Sequence, residues 1–217
     1  MKIDVKQDIM EINNTYAADN RRLFKKHNLL TINLMGSPGA GKTSLLEQLL
    51  ASLQDDVKVA VIEGDLATAR DAERIMAYGV EVVQINTQGG CHLDAKMIGQ
   101  VLSIFDFAKT DVLIIENVGN LVCPATFDLG EDFKMLVMSV TEGDDKPAKY
   151  PSAFLASQVV VLNKVDLLPV LELDLERMKQ EIREINPHSK IFETSCAKNK
   201  VTGVDELASW LKQKVRK

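Results

Sequence analysis

Eight consecutive residues, Gly36-Ser37-Pro38-Gly39-Ala40-Gly41-Lys42-Thr43, combine a glycine framework with a lysine and a hydroxyl. Such a run can wrap backbone N–H groups around phosphate oxygens, and a helix starting at its end adds a partial positive charge. The context fits, because an apolar strand from Leu29 to Met35 leads in, and Leu45, Leu46, Leu49 and Leu50 follow at helical spacing. The stretch is a complete Walker A motif. Lys42 is expected to reach the β and γ phosphates, and the Thr43 hydroxyl, beside Ser44, to ligate Mg2+.

Another run, Asn163-Lys164-Val165-Asp166, follows the apolar segment Val159 to Leu162. The Asp166 carboxylate can accept two hydrogen bonds from guanine, one from N1–H and one from the 2-amino group. Adenine offers neither, and leaving such a group unsatisfied costs about 1–3 kcal/mol. Thr194-Ser195-Cys196-Ala197-Lys198 follows the next apolar stretch and resembles a further guanine-contacting loop, using Ser195, the Ala197 N–H and Lys198. GTP and GDP are therefore the expected nucleotides, and GTP hydrolysis the expected reaction.

Two acidic clusters end further strands. Glu63-Gly64-Asp65 closes one, with Asp71 six residues beyond Asp65, and Glu116-Asn117-Val118-Gly119 closes another. The Glu116 cluster resembles a Walker B segment with Glu in place of Asp, followed by a glycine able to approach the γ-phosphate. Magnesium wants oxygen ligands, often through water, so Asp65, Asp71 and Glu116 join Thr43 as its expected ligands. Lys42, Asp71 and Glu116 are expected to carry the catalysis, with Asp71 nearest the attacking water. The alternative is that Asp65 caps a helix and Asp71 is simply solvated.

Cys91-His92 follows Gly89-Gly90 and is expected to open a helix whose N-terminus favours the Cys91 thiolate. Cys123 lies seven residues beyond Glu116, just before Pro124. Both positions fall at the carboxyl edge of the sheet, where the phosphate loop also lies. Two thiolates and an imidazole suit Zn2+ or Ni2+. Three ligands leave a position open to water or to a second chain, which makes a shared site at a dimer interface attractive. The competing reading is that these side chains are buried or incidental, as Cys196 is expected to be.

These motifs need a scaffold that brings several strand ends to one edge. Strands are expected at 29–35, 57–62, 81–86, 111–116, 133–140, 158–163 and 190–194, and helices at 42–53, 66–77, 92–108, 171–186 and 203–215. Solid Val/Ile/Leu runs in the strands indicate a parallel sheet covered on both faces. The expected fold is α/β, a P-loop NTPase three-layer αβα sandwich with a mostly parallel, roughly seven-stranded sheet. Residues 4–27 read as an additional N-terminal helix with Val5, Ile9, Ile12, Tyr16, Leu23 and Phe24 as its apolar positions. That divides the chain into a helical extension at 1–28, packing on the domain, and a G domain at 29–217. Glu142 to Pro147 reads as a loop.

Composition narrows the class further. A net charge of −5 argues against a nucleic-acid binder. No apolar run approaches membrane-spanning length, and Met1 to Lys6 has no signal-peptide character, so a cytoplasmic protein is expected. Three cysteines make a poor disulfide framework and point to reduced thiols.

Taken together, the Walker A run, Glu63-Gly64-Asp65, Cys91-His92, Glu116 to Gly119, Cys123 and Asn163 to Asp166 resemble the HypB family over nearly the whole chain. HypB proteins are GTPases that assist nickel insertion during nickel–iron hydrogenase maturation. The resemblance implies GTP-dependent homodimerisation, with a metal site at the dimer interface built from Cys91, His92 and Cys123. It implies that Lys149 reaches toward the guanine bound by the partner subunit. It also implies, as partners, the hydrogenase large subunit and a companion nickel-delivery protein. Many members carry an N-terminal cysteine-rich or histidine-rich nickel motif; Met1 to Asn28 holds no cysteine and only His27, so high-affinity nickel storage is not expected. A zinc-stapled GTP-dependent interaction switch and a GTPase chaperone for another metalloenzyme are the alternatives.

Overall fold

Strands and helices alternate along almost the whole chain, in the computed structural model, which describes residues 5–54, 56–65 and 70–215. They run α1 (Val5–Lys26), β1 (Leu30–Gly36), α2 (Lys42–Leu53), β2 (Val59–Asp65), α3 (Arg70–Met76), β3 (Glu81–Asn86), α4 (Ala95–Val101), β4 (Val112–Glu116), α5 (Cys123–Thr126) and β5 (Phe133–Ser139). After these come α6 (Lys146–Lys149), α7 (Pro151–Ala156), β6 (Val159–Asn163), α8 (Leu175–Ile185), β7 (Lys190–Ala197), β8 (Lys200–Thr202) and α9 (Val204–Lys214).

The strand order is β3-β2-β4-β1-β5-β6-β7-β8, parallel throughout except for the last pair. Successive residues of a strand face opposite layers. Val59 and Val61 pack in the cluster formed with Leu45 and Leu49 of α2 and Leu207 and Leu211 of α9. Ala60 and Ile62 instead join Phe24 of α1 and Ile98 of α4, while α7 and α8 cover the rest of that side with Phe154, Met178 and Ile182. β1 sits between β4 and β5, where the order of strands reverses, and this is where an open α/β sheet forms its ligand crevice.

Among the described residues the sheet has eight strands, against the roughly seven expected. β8 is three exposed residues paired antiparallel to the end of β7, with Val201 alone apolar, too little for a hydrophobic pattern to register. Its pairing extends β7 through Ala197, so Ser195 and Ala197 lie on a strand and Lys198 in the turn after it.

Several helices also differ from expectation. The stretch at 92–108 is helical only from Ala95 to Val101, then continues as separate 3-10 turns at Leu102–Ile104 and Phe107–Lys109. Asp94, whose side chain accepts from Met97 N–H, starts α4, so Cys91 and His92 precede the helix instead of opening it. It is Cys123 that opens one, the single turn α5. Part of the expected loop at 142–147 is helical, since α6 begins at Lys146 with Pro147 in its first turn. Of the helix expected at 66–77, residues 66–69 lie outside the described residues, and the helix runs over Arg70–Met76.

α1 buries Phe24 and packs Leu23 against the core as expected, but the rest of its inner face differs from the expected one. Asn13, Ala17, Asn20 and Phe24 are buried, whereas Ile9 and Ile12 are about half exposed, at 50% and 59%. The helix packs against turns as well as against α4, and turn backbone needs hydrogen-bonding partners that aliphatic side chains cannot supply.

Candidate functional site

The phosphate loop joins β1 to α2 and is locked by the base-side motif. Gly41 has a φ of 94°, and a Cβ there would come within 2.4 Å of Asn163 Nδ2. That nitrogen donates to the Ala40 carbonyl at 3.0 Å, and Lys164 Nζ donates to the Gly39 carbonyl at 2.7 Å. Asn163 in turn accepts from Thr194 Oγ1 at 3.1 Å, and Ser195 Oγ donates to Asp166 Oδ1 at 2.6 Å. The segments at 36–43, 163–166 and 194–197 therefore form one hydrogen-bonded unit. Lys149 stands apart from it, largely exposed and paired with Asp145 one turn earlier.

A cavity of about 460 Å3 opens over the phosphate loop, lined among others by Pro38, Gly39, Lys42, Thr43, Ser44, Glu63, Asp71, Arg74, Glu116 and Gly119. Glu63 and Glu116 are register partners on β2 and β4, and both are buried. Burial pushes the Glu116 carboxyl up to about 7, against the opposing pull of Lys42 and of the Thr43 hydroxyl. Burial likewise pulls the Lys42 ammonium down, with Glu116 and Asp71 opposing. Glu116 Oε1 accepts from Thr43 Oγ1 at 2.8 Å, while its buried Oε2 has no hydrogen-bond partner among the described residues. A hydroxyl and a carboxylate with an unused oxygen, beside a second buried carboxylate, are the donor set a hard divalent cation takes. Asp71 is held by Arg74 at 2.7 Å, and Arg74 also grips Glu47 at 2.6 Å. The side chain of Asp65 lies outside the described portion of the chain. Arg74 had no motif to mark it; only the fold brings its cation to the cavity rim.

The raised Glu116 carboxyl gives a pH-dependent expectation for the metal-free and nucleotide-free protein. A carboxyl near 7 when folded and near 4.5 when unfolded makes the folded state bind more protons in between, so stability falls as pH rises through that window. Thermal unfolding from about pH 5 to about pH 8 should lose of order 1–3 kcal/mol, and Glu116→Gln should flatten the profile. An unchanged slope in the variant would place the titration elsewhere.

The two thiols and the imidazole meet across β2, past the carboxyl ends of its neighbours. Cys91 and His92 follow β3 and Cys123 follows β4, with β2 lying between. Leu93 crosses above β2 at Gly64, where a Cβ would come within 2.7 Å of Leu93 Cδ1. Cys91 Sγ and Cys123 Sγ approach to 3.1 Å, His92 Nδ1 lies 3.5 Å from Cys91 Sγ, and all three donor atoms fall within 4.8 Å of one another. Metal bonds of about 2.3 Å to sulfur and about 2.0–2.1 Å to nitrogen suit such a cluster. The His92 ring lies against Phe127 at 3.9 Å, and burial lowers its pKa, favouring the neutral, ligating form. The Cys123 thiol is held above its ordinary value, first by its hydrogen bond to Cys91 and then by burial. Cys196 is half-buried beside Asp166 and pushed up to about 11 by burial, away from this cluster.

Asn117 ties the two regions together. It directly follows Glu116, and its Oδ1 accepts from both Val118 N–H and Leu93 N–H at 3.0 Å, while its Nδ2 donates to Asn33 Oδ1 at 3.2 Å. The loop beyond the Walker B strand and the loop carrying His92 are thus pinned to one buried side chain.

The family model described as the CobW/HypB/UreG nucleotide-binding domain matches residues 30–193. The chain belongs to the CobW/HypB/UreG family. The hydrogenase maturation factor HypB of Escherichia coli is 48% identical over 209 residues, covering 96% of this chain and 71% of the relative. The probable maturation factor HypB of Methanocaldococcus jannaschii is 38% identical, covering 99% and 96%. The crystal structure of Archaeoglobus fulgidus HypB superposes with a TM-score of 0.87 at 37% identity over 95% of this chain and all of that one. Helicobacter pylori HypB in complex with nickel gives 0.88, also at 37% identity, over 93% and 94%. Among the described residues no helix is long and apolar enough to cross a membrane.

For this member of the CobW/HypB/UreG family, the crossing at Gly64 gives a direct test. Gly64→Ala should push Leu93 off β2, cost about 1–3 kcal/mol of stability, and weaken metal binding more than nucleotide binding. Chemical denaturation paired with a metal titration reads both, and equal effects on the two ligands would argue against the crossing as the cause.

Proposed function

We propose that the chain is a GTP-hydrolysing metallochaperone that assists nickel insertion into a hydrogenase, with hydrolysis controlling a Cys/His metal site. The observation that carries this reading is Asn117, which joins the segment following Glu116 to the backbone immediately after His92. The HypB relatives, one of them solved with nickel, support the choice of cargo and client.

In this reading Gly36 to Ser44 cradle the phosphates, Lys42 pairs with the terminal ones, and Asp166, Ser195, Ala197 and Lys198 select guanine. Thr43 and Glu116 hold Mg2+, assisted by Asp65 and Asp71; bound there, the cation neutralises charge developing on the phosphates. Asp71 orients the attacking water once GTP draws it from Arg74. Gly119 senses the γ-phosphate, and its loss relaxes the segment that runs on to Cys123. Cys91, His92 and Cys123 hold the transported metal, with a second chain completing the coordination in a GTP-dependent homodimer, where Lys149 contacts the partner's guanine. The acceptors are the hydrogenase large subunit and a companion nickel-delivery protein, in the cytoplasm, where thiols stay reduced. The N-terminal extension at 1–28, whose described part contains α1, docks on a G domain at 29–217.

Metal analysis and solution mass, measured with GDP and with a non-hydrolysable GTP analogue, test the reading. Dimers and bound Ni2+ are expected only or chiefly with the analogue, and the protein should hydrolyse GTP far faster than ATP. Tight zinc that is never transferred would favour a zinc-stapled interaction switch, and a monomer in both states would overturn the shared site.

A further inference from the structure

Two asparagines of α1 each span both limbs of the Cys/His cluster. Asn13 Oδ1 accepts from Ala95 N–H at 2.9 Å, and its Nδ2 donates to the Asp128 carbonyl at 2.8 Å. Asn20 Nδ2 donates to the Ala95 carbonyl at 2.8 Å and to the Leu129 carbonyl at 3.1 Å. Ala95 lies three residues past His92, and Asp128 five past Cys123. Arg21 adds a forked pair to the Asp128 carboxylate at 2.6 and 2.7 Å. Both asparagines are 4% exposed.

Asparagine is a poorer helix former than alanine or leucine, yet α1 buries two of them and leaves Ile9, Ile12 and Tyr16 toward solvent. A helix serving only to cover apolar surface would be turned the other way. A primary amide carries donor and acceptor on one rigid plane, so one side chain can hold two backbone segments at a fixed separation. Buried where water cannot substitute, such bonds are costly to break.

We propose that Asn13 and Asn20 are positioning residues for the metal site, setting the distance between the limb bearing Cys91 and His92 and the limb bearing Cys123. The proposal rests on reading that cluster as a metal site. α1 is then a clamp, and whatever displaces it loosens the ligands without touching them.

The test uses the full chain, titrated with Ni2+ while the thiolate-to-metal charge-transfer absorption is followed, with GDP affinity measured alongside. Asn20→Ala should weaken Ni2+ binding about 10-fold or more, as loss of a supporting partner does, and alter the absorption band while GDP affinity stays within about twofold. Asn186→Ala is the control. Asn186 is equally a buried asparagine, donating to the Phe154, Leu155 and Ser157 carbonyls at 3.1, 3.1 and 2.9 Å, but it touches neither limb. It should leave both Ni2+ affinity and the band unchanged. If Asn20→Ala does not fold, Asn13→Asp is read the same way, because it keeps the acceptor for Ala95 and removes the donor to Asp128. Native Ni2+ affinity and band in the folded α1 variant would overturn the proposal, as would an equal loss in Asn186→Ala. A native protein with no charge-transfer band, or Cys123→Ala titrating like it, would instead overturn the metal reading beneath.

Discussion

Asp166→Asn is expected to abolish the preference for guanine nucleotides and replace it with one for xanthine nucleotides. Asp166 is half-buried, with Oδ1 already accepting from Ser195 Oγ at 2.6 Å, so its rotamer is set before any base arrives. A carboxylate accepts from both N1–H and the 2-amino group of guanine. An amide offers one acceptor and one donor, which matches a base bearing a carbonyl where guanine bears its amino group. Losing hydrogen bonds to a charged acceptor costs about 3 kcal/mol or more, so GDP affinity should fall at least about 100-fold while the xanthine analogue gains. Competition binding with the two nucleotides measures this, and unchanged GDP affinity would remove Asp166 from base recognition. The phosphate loop is not expected to discriminate, because its contacts are common to all nucleoside triphosphates.

Cys123→Ala should leave nucleotide binding within about twofold of native and lower metal affinity at least about 100-fold, more than loss of an outer partner would. Cys123 opens α5, and its sulfur lies 3.1 Å from Cys91 Sγ, whereas the phosphate loop is locked by Asn163 and Lys164 from the other half of the sheet. The substitution also deletes the hydrogen-bonding partner of the Cys91 thiol, leaving a two-donor remnant too sparse for a thiolate-rich cation site. Metal stoichiometry after dialysis decides the matter, and a native value would exclude Cys123 as a ligand.

Much of this site was legible in the sequence because its chemistry is local. The Walker A residues, the run from Asn163 to Asp166 and the Cys91-His92 pair are each contiguous, and the first two follow strands that are largely apolar. What was hidden depends on distant partners. Asn13 meets Asp128 across 115 positions, and Leu93 meets Asn117 across 24. Nothing in the periodicity of α1 distinguishes an asparagine that holds two turns from one facing water; the apolar count pointed to the Ile9 and Ile12 side instead. The start of α4 differs from expectation for a related reason: Gly89-Gly90 does mark a turn, but the N-cap is Asp94, three residues beyond Cys91. Arg74 had no motif at all, and the crossing of Leu93 over Gly64 exists only because β2 lies between β3 and β4.

In the proposed function, nucleotide state and metal affinity are coupled through the segment from Glu116 to Cys123 and its link to Leu93. Ni2+ titration of the full chain saturated with GDP, and separately with a non-hydrolysable GTP analogue, tests it most directly. Tighter binding with the analogue is expected, by about 5-fold or more, the lower end of ordinary allosteric coupling. Identical affinities in the two states would contradict it.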